Sequence, residues 1–249
     1  MLVFRTFYLT LRSWLWGRRR VEISSGLIAR YSHEVRTSLT GIIGYAEFLE
    51  TGSNEPMMNF TAKIIRESGL NLTHTSNAFL DLHNLQRGEL RLSCTRFVFS
   101  DLVREVVQKH REFALEREVG CGFSCDESAS LKTVSTDIDR MRQVVNALVL
   151  NIVQMLSKWS VVHIELSYSN DYRSWILLFS MSDASENTRA MKLFKSFWCD
   201  ENYNYMLQDG PGVVLAAAKA MLYLLGGSAK FDDASETLPS RLSLIFPSY

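Results

Sequence analysis

The chain has few cysteines, and the four it has, Cys94, Cys121, Cys125 and Cys199, are scattered. Cys121 and Cys125 have no second ligand pair at zinc spacing, which argues against a zinc module, and so few thiols cannot frame a disulfide-built fold. All four are expected to be reduced thiols in a cytosolic compartment. Net charge is also missing: 27 basic side chains balance 27 acidic ones. A chain without a basic excess has no electrostatic footprint for nucleic acid, so no nucleic-acid partner is expected. Long apolar runs are absent too. The first twenty residues, MLVFRTFYLTLRSWLWGRRR, are interrupted by Arg5 and Arg12 and are too short to span a bilayer. They also lack the charged-then-apolar order and the small-residue cleavage site of a secretory signal. No internal repeat or low-complexity segment occurs.

What is present is the composition of a globular protein, 47% hydrophobic, long enough at 249 residues for one large or two modest domains. Residues 1–22 stand apart: they hold Arg5, Arg12, Arg18, Arg19 and Arg20 beside Phe4, Phe7, Tyr8, Trp14 and Trp16. Aromatic and basic content of this kind suits in-plane contact with an anionic membrane surface through residues 1–20, or packing on a partner or second protomer.

From 23 to 50 the apolar residues Leu39, Ile42, Ile43, Ala46 and Leu49 recur at helical spacing with no proline. Residues 51–56, TGSNEP, form a turn signal, with Gly52 suited to a helix end and Pro56 to a helix start. A second helix is expected over 57–86, with Phe60, Ile64, Leu72, Phe79 and Leu82 on its apolar face. Such a hairpin cannot cover its own apolar stripe, so pairing with a second copy into a four-helix bundle is the default.

After Gly88 the pattern changes to shorter elements. Strands are expected at 90–92, 97–99, 130–134, 161–168, 175–181, 229–231 and 241–246, and helices at 100–118 with Ser100 as cap, at 137–157 and at 212–225. The expected class is α+β, a dimeric helical hairpin followed by an α/β sandwich. The expected division is 1–22, 23–90 and 91–249.

Residues 32–39, SHEVRTSL, combine a histidine, an adjacent carboxylate and a hydroxyl one turn later. On a helix Thr37 shares the face of His33, while Glu34 lies about 100° around. A carboxylate near one ring nitrogen can accept its proton and leave the other nitrogen free to attack. His74, His83, His110 and His163 have no such neighbour and are expected to be solvated or locally hydrogen bonded.

Residues 31–50, YSHEVRTSLTGIIGYAEFLE, resemble the phosphoacceptor box of two-component sensor histidine kinases. Residues 59–92 look like the second helix of that hairpin, and 139–151, DRMRQVVNALVLN, like the asparagine-bearing helix of the family's ATP-binding domain. The similarity continues through Asp183, Phe194, Phe197 and the stretch 210–227. It implies that His33 is the phosphoacceptor, Glu34 its base and Thr37 the residue that positions a water for dephosphorylating a partner. It further implies that ATP and Mg2+ are the cofactors, with Asn151 as metal ligand, Asp183 on the adenine amino group, and Gly210 and Gly212 at the phosphates. The implied partners are a second copy, the receiver domain of a response regulator and a partner kinase.

The chain departs from the family at several positions. Ser38 replaces a helix-bending proline. Ala147 and Gln154 replace a polar ligand and a lysine, and Ser185, Asn187 and Val214 replace glycines whose freedom of φ serves nucleotide approach. Residues 187–209 would form the ATP lid. Three readings follow: a histidine kinase passing phosphate from ATP through His33 to a regulator aspartate, an ATP-independent phosphotransferase or phosphatase using His33 or Thr37, and a non-enzymatic dimeric pseudokinase.

Overall fold

The computed structural model describes residues 25–50, 55–182, 189–199, 212–232 and 239–247. Helix α1 (Ser25–Glu50) and helix α2 (Glu55–Arg87) form the hairpin. Helix α1 runs unbroken through Ser38, whose backbone N–H can join the ladder that a proline would interrupt. The two helices approach closely at Gly41, where a Cβ would stand 2.8 Å from Ser68 Oγ. Near the open end of the hairpin Tyr31 stacks on Phe79 with ring centroids 4.3 Å apart.

The second part begins with β1 (Cys94–Val98) and α3 (Phe99–Glu116), then β2 (Gly120–Cys125), a helical turn α4 (Glu127–Ser130), β3 (Thr133–Asp137) and α5 (Ile138–Met155). It continues with β4 (Val161–Ser169), β5 (Ser174–Ser182), α6 (Arg189–Cys199), α7 (Val213–Leu224), β6 (Ser228–Asp232) and β7 (Ser240–Pro247). Strands β1 and β3 pair antiparallel, and a five-stranded sheet runs β2-β4-β5-β7-β6. Only β2–β4 is parallel in that sheet.

Strand β4 shows how the sheet is layered: Val162, Ile164 and Leu166 are buried against the helices, while Val161, His163 and Glu165 are exposed on the other face. Helix α7, VVLAAAKAMLYL, is apolar around most of its circumference and is correspondingly buried on nearly all sides. It lies between α5 and the hairpin helix α2.

Some expected elements moved. The strand expected at 90–92 is not formed, and the helix expected to be capped by Ser100 starts at Phe99, after an N-cap Val98. The Ser100 hydroxyl instead donates to the Ser130 carbonyl at 2.8 Å, so it ties α3 to α4 rather than ending a helix. Strand β2, GCGFSC, was not anticipated because glycine and serine have little strand propensity; parallel pairing with β4 supplies what its own sequence does not. Helix α6 likewise forms inside the stretch expected to be a lid. Cys94, Cys121 and Cys125 are free thiols, and burial raises the pKa of each. Among the described residues no helix is long and apolar enough to cross a membrane. Residues 1–22 lie outside the described residues.

Candidate active site

His33 stands on the exposed side of α1, two residues after the stacked Tyr31. No described side chain is bonded to either of its ring nitrogens. One turn on, the Thr37 hydroxyl donates to the His33 carbonyl at 3.0 Å, so it is tethered at the foot of the histidine. Both residues face solvent, as a site reached by a macromolecule requires.

Glu34 points elsewhere. Its Oε1 accepts from Arg30 Nε at 2.8 Å, one turn earlier on α1, and from the backbone N–H of Val213 at 3.4 Å. Val213 is the first residue of α7, and the N-cap before it, Gly212, provides no side-chain cap. Gly212 has φ of 95° and ψ of 162°, a region that glycine enters with little strain. A Cβ there would be 3.2 Å from the same Glu34 oxygen. Two residues expected to have separate roles, the base at 34 and the phosphate glycine at 212, are therefore in contact.

The docking of hairpin on sheet domain is held by a second polar cluster that sequence reasoning missed. Asp81 on α2 accepts from Arg140 Nη1 at 2.8 Å and from Gln143 Nε2 at 2.6 Å, both on α5. Arg140 also donates to Gln143 Oε1 at 3.0 Å, which closes the triangle. Around it Ala78, Leu82 and Leu85 are buried.

Residues 24–88 match the His Kinase A (phospho-acceptor) domain family. In sequence the chain is similar to two-component sensor histidine kinases. Over 222 residues it is 24% identical to the autoinducer 2 sensor kinase/phosphatase LuxQ of Vibrio parahaemolyticus, a match covering 86% of this chain and 26% of LuxQ. It is 26% identical over 217 residues to the sensor protein GacS of Pseudomonas syringae, covering 85% of this chain and 24% of GacS. The chain thus spans about a quarter of the length of these relatives. In fold it is similar to the Acinetobacter baumannii histidine kinase AdeS, with a TM-score of 0.61 at 18% identity over 87% of this chain and 98% of AdeS. It is also similar to the histidine kinase ThkA solved in complex with the response regulator protein TrrA, with a TM-score of 0.62 at 18% identity over 97% of this chain and 66% of ThkA. The helical hairpin followed by a mixed α/β domain is the fold of these kinases.

Within that fold, Asn151 sits half-buried on α5, and its Nδ2 donates to the Ala147 carbonyl at 2.7 Å. Its amide donors are turned onto its own helix, so Oδ1 is the atom suited to a hard cation. Ala147 is buried in the core and cannot supply a second ligand. Among the described residues no group of three His, Cys, Asp or Glu side chains forms a metal site. Val214 is half-buried against the core. Asp183, Gly210, Ser185 and Asn187 lie outside the described residues.

The aromatic pair of the lid stretch is structural. Phe194 and Phe197 are buried on α6 with Trp198, and Phe194 meets Phe231 edge-on at 6.3 Å. Lys219 of α7 is buried among them: it donates to the Phe197 carbonyl and lies 4.6 Å from the centroid of the Phe197 ring. Among the other histidines, His110 is buried and bonded to Asn146 Oδ1 at 2.8 Å, and His163 meets the Ser124 hydroxyl at 2.8 Å. Burial holds the His110 pKa below 6.5, against the opposing pull of the Asn146 bond, with Lys109 and His74 adding repulsion.

Proposed function

We propose that this chain transfers a phosphoryl group through His33 to or from an aspartate on the receiver domain of a response regulator, as a histidine kinase with a divergent ATP site. The observation that carries the reading is an exposed, uncommitted imidazole at His33 inside the segment that matches a phospho-acceptor domain. Residues 23–90 act as the phosphotransfer and dimerisation unit and 91–249 as the ATPase-like unit.

The phosphate end of the ATP site suits an anion. The α7 N-terminus offers a backbone N–H beside a glycine without a Cβ, and in this structure it already receives an acidic oxygen. Gly212 and Gly210 would hold the phosphates, Asn151 Oδ1 the Mg2+, and Asp183 the adenine amino group. ATP would supply the phosphoryl group, and Mg2+ would offset its charge. His33 would contribute a ring nitrogen whose lone pair forms the N–P bond as the bond from the γ-phosphorus to the β,γ-bridging oxygen breaks and ADP leaves, and Glu34 would take the proton from the other nitrogen. Thr37 orients a water when the reaction runs as removal of phosphate from the partner.

Exposed apolar side chains along the hairpin support a homodimer. Ile28, Leu39, Ile43 and Phe48 on α1 and Met57, Phe60 and Leu70 on α2 are all exposed in the single chain. Pairing with a second hairpin buries such a surface. On this reading the protein works in the cytoplasm, and the basic and aromatic content of residues 1–20 suits contact with the inner face of the membrane or packing on a partner.

A second reading is favoured by the buried Ala147 and by Val214, which remove polar and glycine features from the nucleotide site: ATP-independent phosphotransfer or phosphatase action on a regulator. A third, a non-enzymatic dimeric pseudokinase regulating a partner kinase or a regulator, needs only the docked fold. Incubation with labelled ATP and Mg2+ separates them. Acid-labile label that disappears in His33→Ala supports the kinase; no label and no nucleotide binding, with transfer from a phosphorylated regulator onto His33, supports the second. Output that survives His33→Ala but not dimer disruption leaves the third.

A further inference from the structure

We infer that Glu34 is an intramolecular plug for the α7 N-terminus, so that the carboxylate of the phosphoacceptor helix and a nucleotide phosphate compete for one position. The inference rests on the reading above that this helix end receives phosphate. One oxygen, Glu34 Oε1, is bound on one side by Arg30 Nε at 2.8 Å and on the other by the Val213 amide at 3.4 Å. The unsatisfied N–H groups at a helix start favour negative charge, and the N-cap of this 12-residue helix supplies no side-chain hydrogen bond to them. Gly212 leaves the space that the carboxylate fills, since a Cβ there would come within 3.2 Å of it.

A phosphate oxygen on the Val213 amide would need the place that Oε1 holds, and two anions cannot share it. The same contact withdraws a second component. While Glu34 faces Val213 it is not bonded to His33, so the candidate base and the candidate phosphate cradle are disabled together. Arg30 lies one turn from Glu34 on the same helix and steadies the carboxylate in that orientation. The Asp81–Arg140–Gln143 cluster holds α2 on α5 and so keeps the two surfaces in register. The docked arrangement is therefore a latched one. Release of Glu34 clears the helix end and returns the carboxylate to the neighbourhood of His33.

The experiment uses the full chain with Glu34→Gln and Glu34→Ala, read by binding of a trinitrophenyl analogue of ATP with Mg2+ and by hydrogen exchange at the Val213 amide. Removing the competing charge is expected to tighten nucleotide binding about tenfold in Glu34→Ala, with Glu34→Gln between it and the unchanged protein. Exchange at Val213 should rise about tenfold in Glu34→Ala while the α5 core amides stay protected. Faster exchange with no nucleotide binding in any of the proteins would uphold the Glu34–Val213 latch, remove the ATP reading and overturn the competition. Nucleotide binding that is equal in all three proteins would uphold the ATP reading and overturn the plug. Unchanged Val213 exchange would overturn the latch whatever the nucleotide result.

Discussion

The Asp81 carboxylate and the Arg140 guanidinium meet at 2.8 Å, 59 residues apart in the chain, with the Asp81 side chain only 12% exposed. This pair and Gln143 are one polar fastening between hairpin and sheet domain, beside the Glu34–Val213 bond and the Lys63–Glu116 ion pair. Asp81→Ala takes the carboxylate from both Arg140 and Gln143 and leaves the guanidinium with its bond to Gln143 alone, so it is expected to destabilise the protein by about 2 kcal/mol. Urea unfolding of Asp81→Ala, Arg140→Ala and the double variant checks it: the double variant should cost clearly less than the sum of the two. Strict additivity would show that the fastening is not energetically coupled.

Glycine at 212 is predicted to be irreplaceable for a backbone reason. With φ of 95° and ψ of 162°, an L side chain is strained there, and its Cβ also meets Glu34. Gly212→Ala should lose about 1–3 kcal/mol of stability and speed exchange at the α7 N-terminus. A thermal unfolding curve that overlays the parent would contradict this.

His110 makes stability depend on pH in a defined direction. Its folded-state pKa is lowered below 6.5, chiefly by burial, so between the folded and unfolded values the unfolded chain binds the extra proton. The stability it contributes is full above pH 6.5 and is lost as pH falls through the folded value. Comparing unfolding midpoints at neutral and mildly acidic pH, His110→Gln should show a smaller loss than the parent. An equal loss in both would assign the acid sensitivity to other groups.

His33 is exposed and unbonded, so its role is separable from folding. His33→Ala should abolish acid-labile phosphate incorporation while changing stability by no more than about 0.5 kcal/mol. Label retained in that variant would move the phosphoacceptor elsewhere.

The exposed apolar side of the hairpin gives a prediction about assembly. Ile43 is 54% exposed and Phe60 55%. Charged substitution at both, Ile43→Glu with Phe60→Glu, should convert a dimer to a monomer in sedimentation with helix content unchanged. A sedimentation coefficient identical to the parent would place the interface on another face.

Much of the architecture was readable because it is local. The periodic Leu39, Ile42, Ala46 and Leu49 specify a helix by spacing alone, and the apolar helix expected over 137–157 is found at Ile138–Met155, with Asp137 before it as a cap whose carboxylate accepts from the Asp139 and Arg140 amides. The His33–Glu34–Thr37 cluster is likewise a matter of neighbours along one helix. Strand β2 was not legible, because Gly120, Gly122 and Ser124 carry no strand signal and are held by pairing with Val161, His163 and Glu165 of β4. Phe194 and Phe197 could be listed as aromatic but not placed, since only the fold sets them against Phe231 and Lys219.

By itself the sequence determined the two helices, the class of the second domain and the identity of the candidate phosphoacceptor, since each depends on residues within a few turns or strands of one another. Tertiary structure alone decided where Glu34 points. Its hydrogen bond to Val213 spans 179 residues, and no periodicity or motif encodes a contact between a helix side chain and the start of another helix so far along the chain. Packing of α7 between α5 and α2 brings that helix end to α1, and the attraction of a carboxylate for unsatisfied amides does the rest.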